Sequence, residues 1–89
     1  MSKQQTKLIK HWESKGYFVI NLVVVSKPGL PDLICVKKDH VVFVESKEKW
    51  DKLSLLQITW LNRLTKLGFD CYVNYDKWKV TKEFDTDLF

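Results

Sequence analysis

The sequence predicts a single small α/β domain, in the element order α-β-β-β-α-β, around a mixed central sheet. Three observations carry that prediction. Two stretches repeat apolar residues at helical spacing and each runs into a glycine. Four further runs are rich in aromatic and β-branched residues, as strands are. A short polar turn separates two of those runs and marks an antiparallel hairpin. With 89 residues the chain has room for one domain, residues 1–89, with its core at 3–75 and an edge segment and acidic tail at 76–89.

The first helix is expected over residues 3–15, where Leu8, Ile9 and Trp12 form the apolar face, Gln5 lies one turn before Ile9, and Gly16 is the stop. Residues 17–25 read as the first strand. Residues 26–29 have turn chemistry, and Pro31 suits a strand entrance because it cannot donate to a sheet ladder. Residues 32–36 and 41–46 follow as strands two and three, with the hairpin turn centred near Lys38 and Asp39. Ser54 and Gln57 form a capping box ahead of a helix over residues 55–67, whose expected stripe is Leu56, Trp60, Leu64 and Leu67. Gly68 ends it, residues 69–74 give strand four, and residues 75–82 add a short strand or turn. The second helix then serves as the crossover to strand four.

Composition narrows the classes. Apolar residues make up 45% and aromatics 13%, which excludes intrinsic disorder. No apolar run approaches the ~18 residues of a membrane span, and the N-terminus lacks a signal-peptide pattern. The chain is expected to be soluble, cytoplasmic and free of membrane partners. Cys35 and Cys71 each lie in an apolar run and read as buried hydrophobes in a reducing compartment rather than as a disulfide. The formal charge is +4, and the whole excess falls in residues 1–50. Such an excess suits a nucleic-acid binder but equally suits many other proteins.

The chemistry concentrates at one hairpin. Asp32 opens strand two directly after Pro28-Gly29-Leu30-Pro31, while Glu45 and Lys47 close strand three at a spacing of two. With the turn at Lys38 and Asp39, the start of strand two lies beside the end of strand three, so Asp32, Glu45 and Lys47 converge at one sheet edge. Two adjacent carboxylates repel each other unless they share a proton or a divalent cation. A lysine beside them can hold a water and stabilise the charge of a pentacovalent phosphorus. Taken alone, Glu45-Ser46-Lys47 is no different from a solvated charge run; the matching Asp32 and the helix that follows give it weight.

These segments resemble a known family. Gly29-Leu30-Pro31-Asp32-Leu33-Ile34, then Val44-Glu45-Ser46-Lys47, then Lys52-Leu53-Ser54-Leu55-Leu56-Gln57 is similar to the VRR-NUC (virus-type replication-repair nuclease) domain of the PD-(D/E)XK superfamily. The similarity covers roughly residues 3–75, and the chain resembles a small stand-alone phage-type member. It implies a restriction-endonuclease-like core with the order read above, and a Mg²⁺- or Mn²⁺-dependent DNA endonuclease. Branched DNA or Holliday junctions are the implied substrates, and a phage-encoded protein acting in the host cell the implied setting. Through the resemblance, Asp32, Glu45 and the Ser46 backbone carbonyl become metal ligands, and Lys47 orients the attacking water. Gln57 contacts the water or the phosphate, or else serves only to cap the helix, on the expectation that one rotamer cannot fill both roles.

One position departs from the family pattern: Gln5 stands where a first-helix glutamate is usual, and its amide oxygen is a weaker, uncharged metal ligand. Glu13, two turns further, reads as surface. Lys27, Lys49 and Lys52 are candidates to grip phosphates flanking the cut. Trp50 has no periodic stripe to join, so it is assigned to stacking on an unpaired base, to a dimer interface, or to its own core. Trp12, Trp60 and Trp78 read as packing residues, and His11 and His40 lie away from the motif. The small size, together with the resemblance, implies a homodimer with one site per strand of a junction.

Two other classes compete. A double-stranded-RNA-binding domain shares the α-β-β-β-α order, but the second helix here opens Ser54-Leu55-Leu56-Gln57-Ile58 without a cation, and strand four would be left over. A non-catalytic nucleic-acid-binding or phage interaction protein on the nuclease scaffold has Gln5 as its one hint.

Overall fold

A computed structural model describes residues 3–22, 29–47, 52–75 and 79–81. The order is α1 (Lys3–Ser14), β1 (Phe18–Asn21), β2 (Leu33–Lys37), β3 (His40–Ser46), α2 (Leu55–Lys66), β4 (Asp70–Tyr75) and β5 (Lys79–Thr81). The sheet runs β1-β2-β3-β4-β5, so the strands sit side by side in chain order. β1, β2 and β3 are an antiparallel meander, β4 joins β3 in parallel after the α2 crossover, and β5 returns antiparallel to β4. The expected order is present, and the short strand within 75–82 is β5. Among the described residues no helix is long and apolar enough to cross a membrane.

Both helices stop by the same device. At the end of α1, Gly16 N–H donates to the Glu13 carbonyl at 3.0 Å and Tyr17 N–H reaches the Trp12 carbonyl at 3.3 Å. Gly16 adopts φ +91°, the left-handed conformation this closure requires. The Trp12 and Tyr17 rings then pack edge-on, 5.2 Å apart, which is the apolar contact that accompanies such a cap. At the end of α2, Gly68 N–H donates to Thr65 at 3.0 Å and Phe69 N–H to Leu64 at 3.1 Å.

Alternation along the strands divides the core into two layers. On one face Leu8 and Trp12 of α1 bury Leu33, Cys35, Val42 and Val44, with Val19 and Tyr72 against them. On the other, Leu61 of α2 packs on Cys71 and Val73, joined by Phe43, Leu53 and Leu64. Cys35 and Cys71 are buried and free, in different layers, so they behave as small apolar residues. Burial pushes the Cys35 thiol up to about 12.

β1 is described over Phe18–Asn21, and Leu22 N–H continues its pairing by donating to the Asp32 carbonyl at 2.7 Å. The expected extension of this strand to residue 25 lies outside the described residues, which omit 23–28. One expectation needs correction: the α2 stripe is rotated. Ile58 and Leu61 are its buried residues, whereas Leu56 is 44% and Leu67 73% exposed. The inward face runs through Gln57, Ile58, Leu61 and Leu64 because Gln57 is turned towards Glu45 while Leu61 meets Val73.

Candidate active site

Asp32, Glu45, Lys47 and Gln57 meet where β2 begins and β3 ends. Hairpin register brings them together: Lys37 pairs with His40 across the turn Lys38-Asp39, and Leu33 therefore pairs with Val44. Asp39 takes φ +60°, which a short polar side chain tolerates in a tight turn. At the open end of this ladder Ser46 N–H donates to Asp32 Oδ2 at 2.9 Å and fixes that carboxylate beside Glu45. On the far side of β3, Lys47 N–H donates to the Asn74 carbonyl at 2.8 Å, so β4 holds the residue that follows the strand.

Glu45 is the unusual member. Its side chain is only 3% exposed and Oε2 has no hydrogen-bond partner. Burial pushes its carboxyl up to about 8, the Asp32 charge pushes the same way, and Lys47 opposes both. A buried carboxylate beside a second one, with an orphaned oxygen, is a poor structural element and a good cation ligand. Among the described residues no three His, Cys, Asp or Glu side chains gather as a metal cage. Among the described residues, further donors to such a cation would be neutral oxygens, an amide or a backbone carbonyl.

Gln57 overturns the expectation that capping and site contact exclude each other. Its Oε1 accepts from Ser54 N–H at 2.9 Å, Ser54 Oγ accepts from Gln57 N–H at 3.1 Å, and Nε2 donates to Glu45 Oε1 at 3.2 Å. A primary amide has an acceptor end and a donor end, and one rotamer uses each. The capping box thus aims the donor at the buried acid.

The segment from Gly29 to Pro31 is set against α2 as well. Gly29 adopts φ +85°, and a Cβ there would lie 2.5 Å from Leu56 Cγ. Only glycine lets the chain pass this close and still deliver Asp32 to the ladder.

The remaining sequence candidates divide. Gln5 Nε2 donates to Asn21 Oδ1 at 3.0 Å, tying α1 to the end of β1. Lys52 is exposed just before α2, and Glu13 is exposed on α1. Lys27, Lys49, Trp50 and Trp78 lie outside the described residues. Trp12 is buried, and Trp60 is half-buried beneath the Arg63 guanidinium at 5.3 Å.

Two features escape the sequence reading. Asn74, 1% exposed, leaves Oδ1 without a partner beside Ser46 in the β3–β4 register. The signal was a polar residue in phase with Tyr72, on the face that strand alternation turns inward. At the opposite end of the sheet, Tyr17 Oη lies 2.7 Å from His40 Nδ1, and His40 Nε2 lies 2.8 Å from Asp70 Oδ2. No sequence spacing announces that network, because the α1–β1 connection, β3 and β4 each supply one member.

Residues 19–78 match the family model of the VRR-NUC domain. No curated protein matches the chain. Among solved structures, Hjc of Archaeoglobus fulgidus, a Holliday junction resolvase from an archaeal hyperthermophile, is similar over 88% of this chain and 71% of its own, with a TM-score of 0.66 and 16% identity. At that identity the likeness is one of fold.

Proposed function

The chain belongs to the VRR-NUC domain family of PD-(D/E)XK nucleases, and from that premise we propose that it is a Mg²⁺- or Mn²⁺-dependent DNA endonuclease that hydrolyses phosphodiester bonds in branched DNA, Holliday junctions among them. The observation that carries the reading is Glu45, buried with an orphaned oxygen beside Asp32 and within the field of Lys47. This donor set fits a hard divalent cation, which prefers carboxylate and carbonyl oxygens. Asp32, Glu45 and the Ser46 carbonyl would hold it, and the Gln5 amide oxygen is an outer candidate. When bound, the cation supplies positive charge at a non-bridging phosphate oxygen.

The chain's own residues do the rest. Ser46 N–H fixes Asp32, and Gln57 Nε2 fixes Glu45, so neither carboxylate must reorganise during the reaction. The Lys47 ammonium orients the attacking water and offsets charge that develops on phosphorus. Lys52, with Lys27 and Lys49, grips the flanking phosphates, and Trp50 stacks on an unpaired base. We further propose a phage-encoded protein that acts inside the host cell as a homodimer, with one site per strand. Phe18 is 67% and Ile20 42% exposed on the face of β1 opposite α1, which supports a partner surface there.

Cleavage of a panel of junction, flap and duplex DNAs tests the reading. Junctions or flaps are cut with Mg²⁺ or Mn²⁺ and remain intact in EDTA. Asp32→Ala, Glu45→Ala and Lys47→Ala each lose at least about a hundredfold in rate, as expected when a group acting on the transition state is removed, and still bind DNA. Undiminished cutting by Lys47→Ala in EDTA would sink the mechanism. Binding with a steep salt dependence and no cutting would favour the non-catalytic alternative.

A further inference from the structure

The α1 face carries a cavity at the end of the sheet away from Asp32. It has a volume of about 460 Å³ and is lined by His11, Trp12, Lys15, Tyr17, Lys37 and Tyr72. That volume is within the range of small-molecule sites. The described lining is aromatic and basic, without a carboxylate.

Its construction is specific. Trp12 and Tyr17 are buried and form the floor, while Tyr72 and His11 are half-buried beside them. The Trp12 ring lies 5.2 Å from Tyr17 and 5.5 Å from Tyr72, so three rings form one contiguous surface. Exposed Lys15 places Nζ 5.7 Å from the centre of the Trp12 ring, and exposed Lys37 places Nζ 4.5 Å from that of Tyr17. Both ammonium groups therefore stand at the rim of an aromatic floor. Asp39 and Asp70 stand on the other side of Lys37, and Asp70 is engaged by His40, which is itself bonded to Tyr17 Oη. Trp12 also leaves its buried indole N–H without an acceptor.

Cations over π-faces, in a lining without a carboxylate, select a phosphate joined to a planar base. We propose that this cavity is a nucleotide-binding site, and that it takes one nucleotide of a DNA strand whose scissile phosphate lies at Asp32 and Glu45. The DNA source rests on the nuclease reading; the ligand chemistry does not. Lys37 follows Asp32 by five residues at the other end of β2, about 17 Å along the strand at the usual rise. Alternation puts Lys37 on the α1 face with Cys35, and Asp32 and Glu45 on the other. A DNA strand that serves both must pass round the end of the sheet, so the cavity anchors an arm of the substrate beyond the bond to be cut.

The full chain in EDTA, where cutting is not expected, provides the test. The indole ¹⁵N–H signal of Trp12, assigned with Trp12→Phe, is followed during titration with deoxyadenosine monophosphate and, separately, with a single-stranded thymidine decamer and a four-way junction. A shift with the DNAs alone supports the strand assignment. A shift with the mononucleotide at similar concentration keeps the nucleotide chemistry and overturns the DNA source. An unmoved Trp12 signal at saturating DNA overturns the site.

Lys15→Gln with Lys37→Gln is expected to weaken junction binding about tenfold and lower the salt slope by about two, one per lost phosphate contact. The rate at saturating DNA stays as in the parent while KM rises. Unchanged affinity and slope in the folded double variant overturn the proposal. Lys37 packs on Tyr17, so Lys15→Gln alone, with half the slope change expected, decides the matter if the double variant melts early. Failure of the parent protein to cut any DNA, with the Trp12 shift intact, would overturn the nuclease reading and leave the nucleotide site standing.

Discussion

Glu45 shows how a single residue can hold stability and chemistry in opposition. Its carboxyl ordinarily titrates at 4.5 and in the fold is raised to about 8, chiefly by burial. Between those two values the folded protein retains a proton that the unfolded chain releases, so stability falls as pH rises. Its contribution is complete below about 4.5 and is lost as pH passes through about 8. Thermal melts in EDTA at pH 5, 6.5 and 8 should show this decline, and Glu45→Gln should flatten it while abolishing cleavage. Mn²⁺ should raise the melting temperature of the parent more at pH 8 than at pH 5, because a ligand that binds only the folded state stabilises it. A parent protein equally stable across this range would refute the assignment. Asp32, Glu45 and Lys47 were all legible in the sequence, since hairpin register follows from turn position. The depth of Glu45 was not, because it depends on α2 lying over it.

At the scale of the element, α2 has two tasks that separate by substitution. Ser54→Ala removes the cap and should cost about 1 kcal/mol while leaving cleavage within a fewfold of normal. Gln57→Ala should cost a similar amount and also lose Glu45's amide partner, so its rate should fall well below that of Ser54→Ala. Urea unfolding paired with single-turnover cleavage checks both, and equal rates in the two variants would remove Gln57 from the site. Gly29→Ala belongs to the same scale. It forces φ +85° on a residue with a Cβ and presses on Leu56, for an expected loss of about 1–2 kcal/mol together with reduced cleavage from a displaced Asp32. Helix and strand order could be read from period and glycine punctuation. The rotation of α2 could not, because Leu56, Trp60, Leu64 and Leu67 make as regular a stripe as the face actually used. What decides between them is the position of Val73 and Glu45, which the helix's own pattern does not contain.

For the whole molecule, the uneven coverage of the sheet is the informative property. α1 packs on β1 and β3 while α2 packs on β4, and Phe18 and Ile20 pair across the sheet with Val36 and Ile34 on the side away from α1. That apolar strip shares its face with Glu45, so a partner seated there would bring a second site to the same side. Phe18→Lys should shift sedimentation from dimer towards monomer and reduce paired cutting of a junction, with single-strand cutting retained. Dimerisation undiminished in Phe18→Lys would place the interface elsewhere. The strip was invisible in the sequence because the same alternation describes a covered strand and a bare one.

Chain-order adjacency of the five strands also bears on how the protein forms. The Ser46–Asp32 and Gln57–Glu45 bonds span 14 and 12 residues, whereas His40–Asp70 spans 30. Short loops close at less entropic cost, so the acid pair can assemble with its hairpin before the parallel β3–β4 ladder is made. Substitutions in β2 and in Val41–Ser46 of β3 should therefore slow refolding, while those at Asp70, whose partner His40 is 30 residues away, should mainly hasten unfolding. The β2–β3 hairpin that carries the carboxylates would then be the early, persistent part of the molecule, and the contacts that Tyr17 and Asp70 bring to His40 from outside it the part that opens first.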